Sequence, residues 1–95
     1  MQKYKVAHIH HSGTDIILVP LDKSFEHKSP TEQNQQQAIL QTCAASAGLD
    51  GIVIPVWEVG NGGLKSLAPS QWSSFATSLT WDFIRVNINK ELTCN

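Results

Sequence analysis

The strongest structural signal in the chain is a four-residue segment that begins at Ser29 and has the sequence of a helix start. The Ser29 hydroxyl can accept a hydrogen bond from a free amide of the first turn, Pro30 suits the first helical position, and Glu32 can reach back to the cap. A glutamine-rich run, residues 33–41, follows, and Gly48 closes the segment. The pattern predicts one helix between these limits, with an exposed face that is mostly glutamine.

Two apolar runs flank this helix and predict buried strands. They are residues 16–19 (Ile-Ile-Leu-Val) and residues 52–57 (Ile-Val-Ile-Pro-Val-Trp). Continuous apolar runs are typical of strands that are buried on both faces, so the three segments together predict a strand, helix and strand unit. We expect residues 4–11 to form an earlier strand, joined to residues 16–21 through a turn at residues 12–15.

The second half of the chain predicts a further helix and a further strand. Pro55 removes a backbone donor from the third strand, which favours an edge position or a bulge. Pro69 can open a short helix, whose apolar residues have helical spacing: Trp72, Phe75, Ala76 and Leu79. Residues 81–89 alternate and predict the last strand, with Ile84, Val86 and Ile88 on one face. The chain is therefore expected to be a single α+β domain over residues 1–95, of ββαβαβ order, with a mixed β-sheet covered by two helices.

Composition narrows the classes of function. The formal net charge is only −1, so there is no basic excess to bind a phosphate backbone, and we expect no nucleic-acid partner. No apolar run approaches the roughly 18 residues of a membrane helix, and no secretory signal is recognisable, so we expect no membrane association and a cytoplasmic location. Cys43 and Cys94 are the only cysteines and are predicted to be free thiols.

The histidines suggest one kind of chemistry. His8 and His10 are two residues apart on a predicted strand and therefore project from the same face, as ligands of zinc sites on sheets do. A catalytic zinc site needs a third protein ligand, for which His27, Glu58 and Asp82 are candidates. The alternative is a plain exposed histidine strand.

The sequence matches no other catalytic or cofactor-binding motif. Cys43 lies on the predicted buried stripe of the helix, where a cysteine packs as a small apolar residue, and no serine lies in a nucleophile elbow. The loop at residues 60–66 is rich in glycine, but Leu64 stands where a phosphate-binding loop needs glycine before its Lys-Ser pair. We therefore expect no cofactor, although Lys65 could attract a small anion to this loop.

Aromatic residues indicate association. Three tryptophans are many for so short a chain; Trp72 is expected in the core, whereas Trp57 and Trp81 lie at predicted strand ends. The second face of the predicted last strand mixes aromatic and polar residues, which suits a subunit interface. The predicted ligand or interface residues are Trp57, Lys65, Trp81, Phe83, Arg85 and Asn87.

Three stretches, residues 16–25, residues 46–51 running into Pro55–Val56–Trp57, and residues 79–83 through 87–92, resemble a family of small stand-alone bacterial proteins of unknown function. The chain is similar to the open reading frames carried by integron gene cassettes. The resemblance implies an accessory protein of a mobile genetic element, and it brings no activity, cofactor or catalytic residue with it.

The sequence as a whole favours a self-associating binding or interaction module over an enzyme. Its expected partners are a second copy of the chain, and a small-molecule ligand or a host protein. The alternative is a small metal-dependent hydrolase that uses His8 and His10. A third hypothesis is an antitoxin-like partner of another small protein.

Overall fold

The computed structural model describes residues 2–11 and 13–94, so Ser12 of the predicted turn lies outside the described residues. The strands are β1 (Gln2–His11), β2 (Thr14–Leu21), β3 (Ile52–Val59), β4 (Gly63–Ser66) and β5 (Lys90–Cys94). The α-helices are α1 (Pro30–Ser46), α2 (Ser73–Thr77) and α3 (Trp81–Asn87). Short 3-10 turns occupy Lys23–His27, Gly60–Gly62 and Ser70–Trp72.

The strands form one mixed sheet in the order β4-β3-β2-β1-β5. β2 and β3 are parallel and joined through α1, whereas the other neighbouring pairs are antiparallel. The predicted α+β class, the mixed sheet, the first hairpin and the strand, helix and strand unit are confirmed.

Helix α1 begins where the sequence predicts. The Glu32 backbone N–H donates to Ser29 Oγ at 3.2 Å, and the Ser29 backbone N–H donates to Glu32 Oε1 at 3.3 Å. These reciprocal bonds form a capping box, with Pro30 as the first helical residue. Gly48, with φ of 79°, lies just beyond the helix end, in the left-handed conformation that glycine tolerates best.

The sheet separates two apolar clusters, because successive side chains of a strand point to opposite faces. Helix α1 covers one face through Leu40 and Ala44, which pack against side chains of four strands: Val6, Ile17, Val19, Val53, Leu92 and Cys94. The segment from α2 to α3 covers the other face through Leu79 and Ile84, which pack against Ala7, Ile16, Leu18, Ile54 and Val56. The expectation that β2 and β3 are buried on two faces is confirmed.

The predicted strand at residues 81–89 is wrong, because residues 81–87 form helix α3. The Thr80 hydroxyl accepts a hydrogen bond from the Phe83 backbone N–H at 3.1 Å and caps this helix. Ile84 and Ile88 pack into the core, whereas Val86 between them is 80% exposed. A strand would place all three on one face, whereas helical rotation turns Val86 away. The last strand is instead β5.

The prediction that Cys43 and Cys94 are free thiols is also wrong. The two residues form a disulfide between α1 and the end of β5, with their Cα atoms 5.4 Å apart. Because β5 was not predicted, nothing in the sequence pattern placed Cys94 under the helix. The bond joins the last strand of the sheet to the helix that covers it.

Glutamines of α1 contact the backbone at an uncovered part of the sheet edge. β4 pairs only with residues 56–59 of β3. The outer edge of the first half of β3 therefore has no neighbouring strand. Gln41 accepts a hydrogen bond from the Val53 N–H at 2.9 Å and donates to the Gly51 carbonyl at 2.8 Å. Gln37 donates to the Val53 carbonyl at 3.2 Å, and Gln33 donates to the Phe25 carbonyl at 3.0 Å. We call Gln33, Gln37 and Gln41 the glutamine row; they are half-buried, so this part of the predicted exposed face is not exposed.

Pro55, which has no backbone N–H, lies at a position of β3 where no neighbouring strand requires a hydrogen-bond donor. Its carbonyl accepts a hydrogen bond from the Leu67 N–H at 3.0 Å, so the carbonyl and nitrogen of Pro55 point to the outer edge of β3. At that point β4 has not yet begun to pair, since its register with β3 starts at Val56. Although β3 is an inner strand, Pro55 therefore occupies a local edge position.

Candidate functional site

The main cleft lies at the carboxyl ends of the parallel strands β2 and β3. Asp22 directly follows β2, and Glu58 and Val59 end β3. The cleft has a volume of about 490 Å³ and is lined by residues from both strand ends, from the 3-10 turn after β2 and from the loop after β3: Asp22, Lys23, Ser24, Glu26, His27, Glu58, Val59 and Gly60. Ligands of open sheets with parallel strands commonly bind at this end.

The 3-10 turn after β2 packs against the core through one buried side chain, and its polar side chains line the cleft. The Asp22 carboxylate accepts a hydrogen bond from the Ser24 backbone N–H at 3.0 Å and caps the turn. Phe25 is buried and packs against Trp57, with ring centroids 4.7 Å apart. Because a buried aromatic pair anchors the turn, the neighbouring polar residues have a defined position in the cleft wall.

Glu26 connects three elements at one side of the cleft. Its carboxylate accepts a hydrogen bond from the Trp57 indole Nε1–H at 3.3 Å and forms an ion pair with Lys65 Nζ at 2.8 Å. Trp57 and Lys65 are direct neighbours across the β3 and β4 pair. The hydrogen bond from Lys65, with a smaller effect of Trp57, holds the pKa of Glu26 below its ordinary value. Glu26 is therefore ionised, and its contacts with Trp57 and Lys65 hold it in the wall of the cleft.

Asp22 lines the main cleft and also two smaller clefts that adjoin it. One, of about 440 Å³, extends toward α3 and is lined by Asp22, Lys23, Glu58, Trp81 and Arg85. The other, of about 280 Å³, extends toward α1 and is lined by Tyr4, Leu21, Asp22, Ser24, Phe25, Lys28 and Gln36. Lys23 and Glu58 line both the main cleft and the one toward α3, and neither forms an ion pair or side-chain hydrogen bond within residues 2–11 and 13–94. One cation and one anion are thus available to a bound molecule.

The structure brings four of the six predicted ligand or interface residues to this region. Trp81 and Arg85 line the cleft toward α3, and Lys65 and Trp57 hold Glu26. Trp57 is only 3% exposed, so it supports the cleft wall from the core rather than offering a binding surface.

The remaining two predicted residues lie elsewhere on α3. Phe83 is 39% exposed, and the side-chain amide of Asn87 donates to the Phe83 carbonyl at 2.8 Å. Arg85 also forms an ion pair with Asp82 on the same helix. The predicted mixed strand face does not exist; its residues are distributed around a helix.

Sequence reasoning missed Asp22 and Lys23 as site residues, and it considered Glu58 only as a third ligand of a zinc site. The available signal was their position, since Asp22 and Lys23 directly follow one buried apolar run and Glu58 directly follows the other. Once the two strands are taken as parallel, their carboxyl ends meet at one edge of the sheet.

The predicted histidine pair lies at the other end of β2. His10 Nδ1 is 2.7 Å from Asp15 Oδ1, and His8 Nε2 is 3.7 Å from Asp15 Oδ2. His8 Nε2 also lies 2.9 Å from the Asp50 carbonyl. The hydrogen bond with His10 is the largest influence on Asp15 and lowers its pKa. The pair is thus joined by a carboxylate that the sequence did not single out.

The predicted third metal ligands do not reach this pair. His27 and Glu58 line the main cleft at the opposite end of the sheet, and Asp82 pairs with Arg85. Across the ranges that the structure describes, no group of three or more His, Cys, Asp or Glu side chains could hold a metal ion.

No model of a protein family, no curated protein and no solved structure matches this chain. Within the described residues, no helix is long and apolar enough to cross a membrane.

Proposed function

We propose that the chain is a binding module that holds a small polar molecule at the carboxyl ends of β2 and β3. The observation that carries this proposal is the meeting of three clefts at Asp22, with the unpaired side chains of Lys23 and Glu58 in the walls of two of them. A concave site with a few converging polar groups is the usual form of a small-molecule site.

The charges of the cleft indicate the class of molecule. Asp22 and Glu26 are already engaged, as the cap of the turn and as the partner of Lys65. A ligand can therefore pair with Lys23 through an anionic group and with Glu58 through a cationic or donor group. A small zwitterion, or a molecule that carries both kinds of group, satisfies both side chains, and an apolar molecule satisfies neither.

Binding is favoured over catalysis by the roles of the acidic groups. An acid or base catalyst has to exchange a proton with its substrate during the reaction. Glu26 is held as an anion by Lys65 and Trp57, and the Asp22 carboxylate accepts the Ser24 N–H. Both carboxylates support the geometry of the wall.

The experiment is a titration of the isotope-labelled protein with free amino acids, nucleotides and sugar phosphates, followed by amide chemical shifts. We expect at least one amino acid to shift the amides of residues 22–27 and 58–60. Glu58→Gln should weaken that binding. Asp50→Asn is the matched control, because Asp50 is also exposed but precedes β3 at the opposite end of the strand. Shifts that are absent with every probe, or lost equally in both variants, would contradict the proposal.

We also propose that the module self-associates through α3. Val86 is 80% exposed and Phe83 is 39% exposed, and the two lie one turn apart on the same helix. Neighbouring apolar side chains at i and i+3 give an apolar surface that association would remove from water. Their flank carries Asp82 and Arg85, whose opposite charges could pair with the same helix of a second copy.

Molar mass in solution tests the association. We expect light scattering after size exclusion to show a dimer whose dissociation constant rises at least tenfold in Val86→Asp. Ile39→Asp is the control, because Ile39 is 52% exposed on α1. A monomer at all concentrations, or equal dissociation in both variants, would exclude α3 as the interface.

The cytoplasmic location and the origin in an integron cassette also stand as proposals, supported by the sequence patterns described above. The metal-dependent hydrolase based on His8 and His10 gains no support from the site, since its expected third ligands lie elsewhere.

A further inference from the structure

Strand β5 is a short strand at one edge of the sheet. It has five residues, pairs only with β1, and forms one end of the sheet. Lys90, Glu91 and Thr93 are exposed, whereas Leu92 is fully buried and Cys94 is 8% exposed. Two buried side chains therefore hold the strand on the core by packing.

The beginning of β5 is fixed by Asn89. The Asn89 backbone N–H donates to the Val6 carbonyl at 3.1 Å. Its side-chain amide donates to the His8 carbonyl and accepts from the His8 N–H, both at 2.9 Å. Asn89 thus supplies three hydrogen bonds to β1, and none of them depends on a redox state.

The end of β5 is fixed by the disulfide from Cys94 to Cys43 on α1. Without this bond, the packing of Leu92 and the hydrogen bonds to one neighbouring strand must offset the ordering of five residues at the end of the described chain. Short edge strands that pair on one side only are among the segments that open most readily in folded proteins. The disulfide prevents this opening because it ties the last residue of β5 to a helix in the middle of the sequence.

We propose that the Cys43–Cys94 disulfide is a redox-controlled clasp, and that its reduction releases residues 90–94 from β1 while the rest of the domain stays folded. Asn89 marks the hinge, because its three bonds to β1 survive reduction. Release uncovers the edge of β1 at Gln2–Val6, which β5 covers in the oxidised form. The proposal does not depend on the ligand cleft, which involves neither cysteine.

The chemical step is a thiol–disulfide exchange with a dithiol. A thiolate of the reductant attacks one sulfur of the bond, the S–S bond breaks, and a mixed disulfide forms. The second thiol of the reductant then displaces the protein sulfur, so that the protein gains two thiols and the reductant becomes a disulfide. Cys43 is half-buried as a residue, whereas Cys94 is 8% exposed, so we expect the first attack at the Cys43 sulfur.

Native-state hydrogen exchange of the oxidised protein, before and after reduction with dithiothreitol, tests the proposal. We expect the amide protection of Leu92 and of the paired β1 residues to fall by about tenfold or more relative to the amides of Leu18 and Ile54. The faster exchange should change little with urea, because local release exposes little surface. The Cys43→Ser/Cys94→Ser variant should exchange rapidly in β5 both with and without dithiothreitol.

Three results would overturn the proposal. The first is unchanged protection in β5 after the bond has been reduced. The second is an equal loss of protection in β5 and in the central strands, as a lower global stability alone would give, with no additional loss confined to β5. The third is an equal response of the double variant to dithiothreitol, which would place the effect of the reductant outside the disulfide.

Discussion

The side-chain oxygen of Gln41 accepts a hydrogen bond from the backbone N–H of Val53 at 2.9 Å, so a helix residue takes the place of a neighbouring strand. The same carboxamide donates to the Gly51 carbonyl. Backbone groups at an open sheet edge can pair with another chain, and covering them prevents such pairing. Gln37 and Gln41 of the glutamine row therefore complete the sheet at the part of β3 that β4 does not reach.

Replacement of Gln41 by alanine should lower the stability of the domain. The substitution leaves the partly buried Val53 N–H and Gly51 carbonyl without their partners, at a cost of about 1–3 kcal/mol in the free energy of unfolding. Urea denaturation measures this. Gln35→Ala on the same helix is the control and should be neutral, because Gln35 is exposed. Equal stability of the two variants would contradict the role of the row.

Loss of the disulfide should be more costly. The bond joins residues 51 positions apart, and a closed loop of that length is expected to contribute about 4 kcal/mol by restricting the unfolded chain. The Cys43→Ala/Cys94→Ala variant should show this loss in urea denaturation, and reduction of the natural chain should give a similar value. A difference well below 1 kcal/mol would contradict this contribution.

Stability should fall in acid. Hydrogen bonds from His10, Lys65 and Ser29 lower the pKa of Asp15, Glu26 and Glu32, respectively, below their ordinary values of 3.8, 4.5 and 4.5. The folded state therefore binds these protons less readily than the unfolded state does. The stability from each group is complete above its ordinary pKa and is lost as the pH falls through its lowered value.

The urea midpoint measured between pH 7 and pH 2 checks this sign. We expect a plateau above about pH 5 and a decline below about pH 4.5. Lys65→Met removes the main cause of the shift at Glu26 and should make the decline shallower. A midpoint that rises as the pH falls would refute the assignment.

Gly51 should not tolerate a side chain. Its φ of 146° is unfavourable for other residues, and an added Cβ would lie 2.9 Å from the Asp15 carbonyl oxygen. Because that obstacle is backbone, Gly51→Ala should destabilise the domain by about 1–3 kcal/mol. Gly60→Ala has no such neighbour within 4 Å and is the control for thermal unfolding. Similar melting temperatures would show that the turn before β3 can shift.

Local sequence chemistry predicted the parts of the fold that depend on neighbouring residues. The capping box of Ser29 and Glu32 needs only residues three apart, and the burial of β2 and β3 follows from uninterrupted apolar runs. The strand order does not follow from such signals, because it depends on which edges meet in three dimensions.

The last third of the chain shows why alternation can mislead. Ile84, Val86 and Ile88 fit a strand period of two, but Ile84 and Ile88 are also four apart and fit a helix. The Thr80 cap and the core packing of Ile84 and Ile88 favour the helix over the strand. Because residues 81–87 are helical, the last strand is β5. Its pairing with β1 brings Cys94 to Cys43.

The candidate site was only partly visible in the sequence. Trp57, Lys65, Trp81 and Arg85 were singled out and lie in or beside the clefts, but the sequence placed them at strand ends, in a glycine-rich loop and on a strand face rather than in one site. The sequence patterns did not single out Asp22, because its position in the site arises from the parallel pairing of β2 and β3. A site formed by three separate segments cannot be assembled from local patterns.

The cover that the glutamine row gives to β3 has a consequence for growth into fibrils. An incoming strand can extend a sheet only where the backbone edge is free. Carboxamides carry no proton that titrates, so acid that neutralises Glu26 and breaks its pairing with Lys65 leaves the bonds of Gln37 and Gln41 in place. As long as α1 remains folded, this edge stays closed to fibril growth under acidic conditions that weaken the ion pairs of the domain.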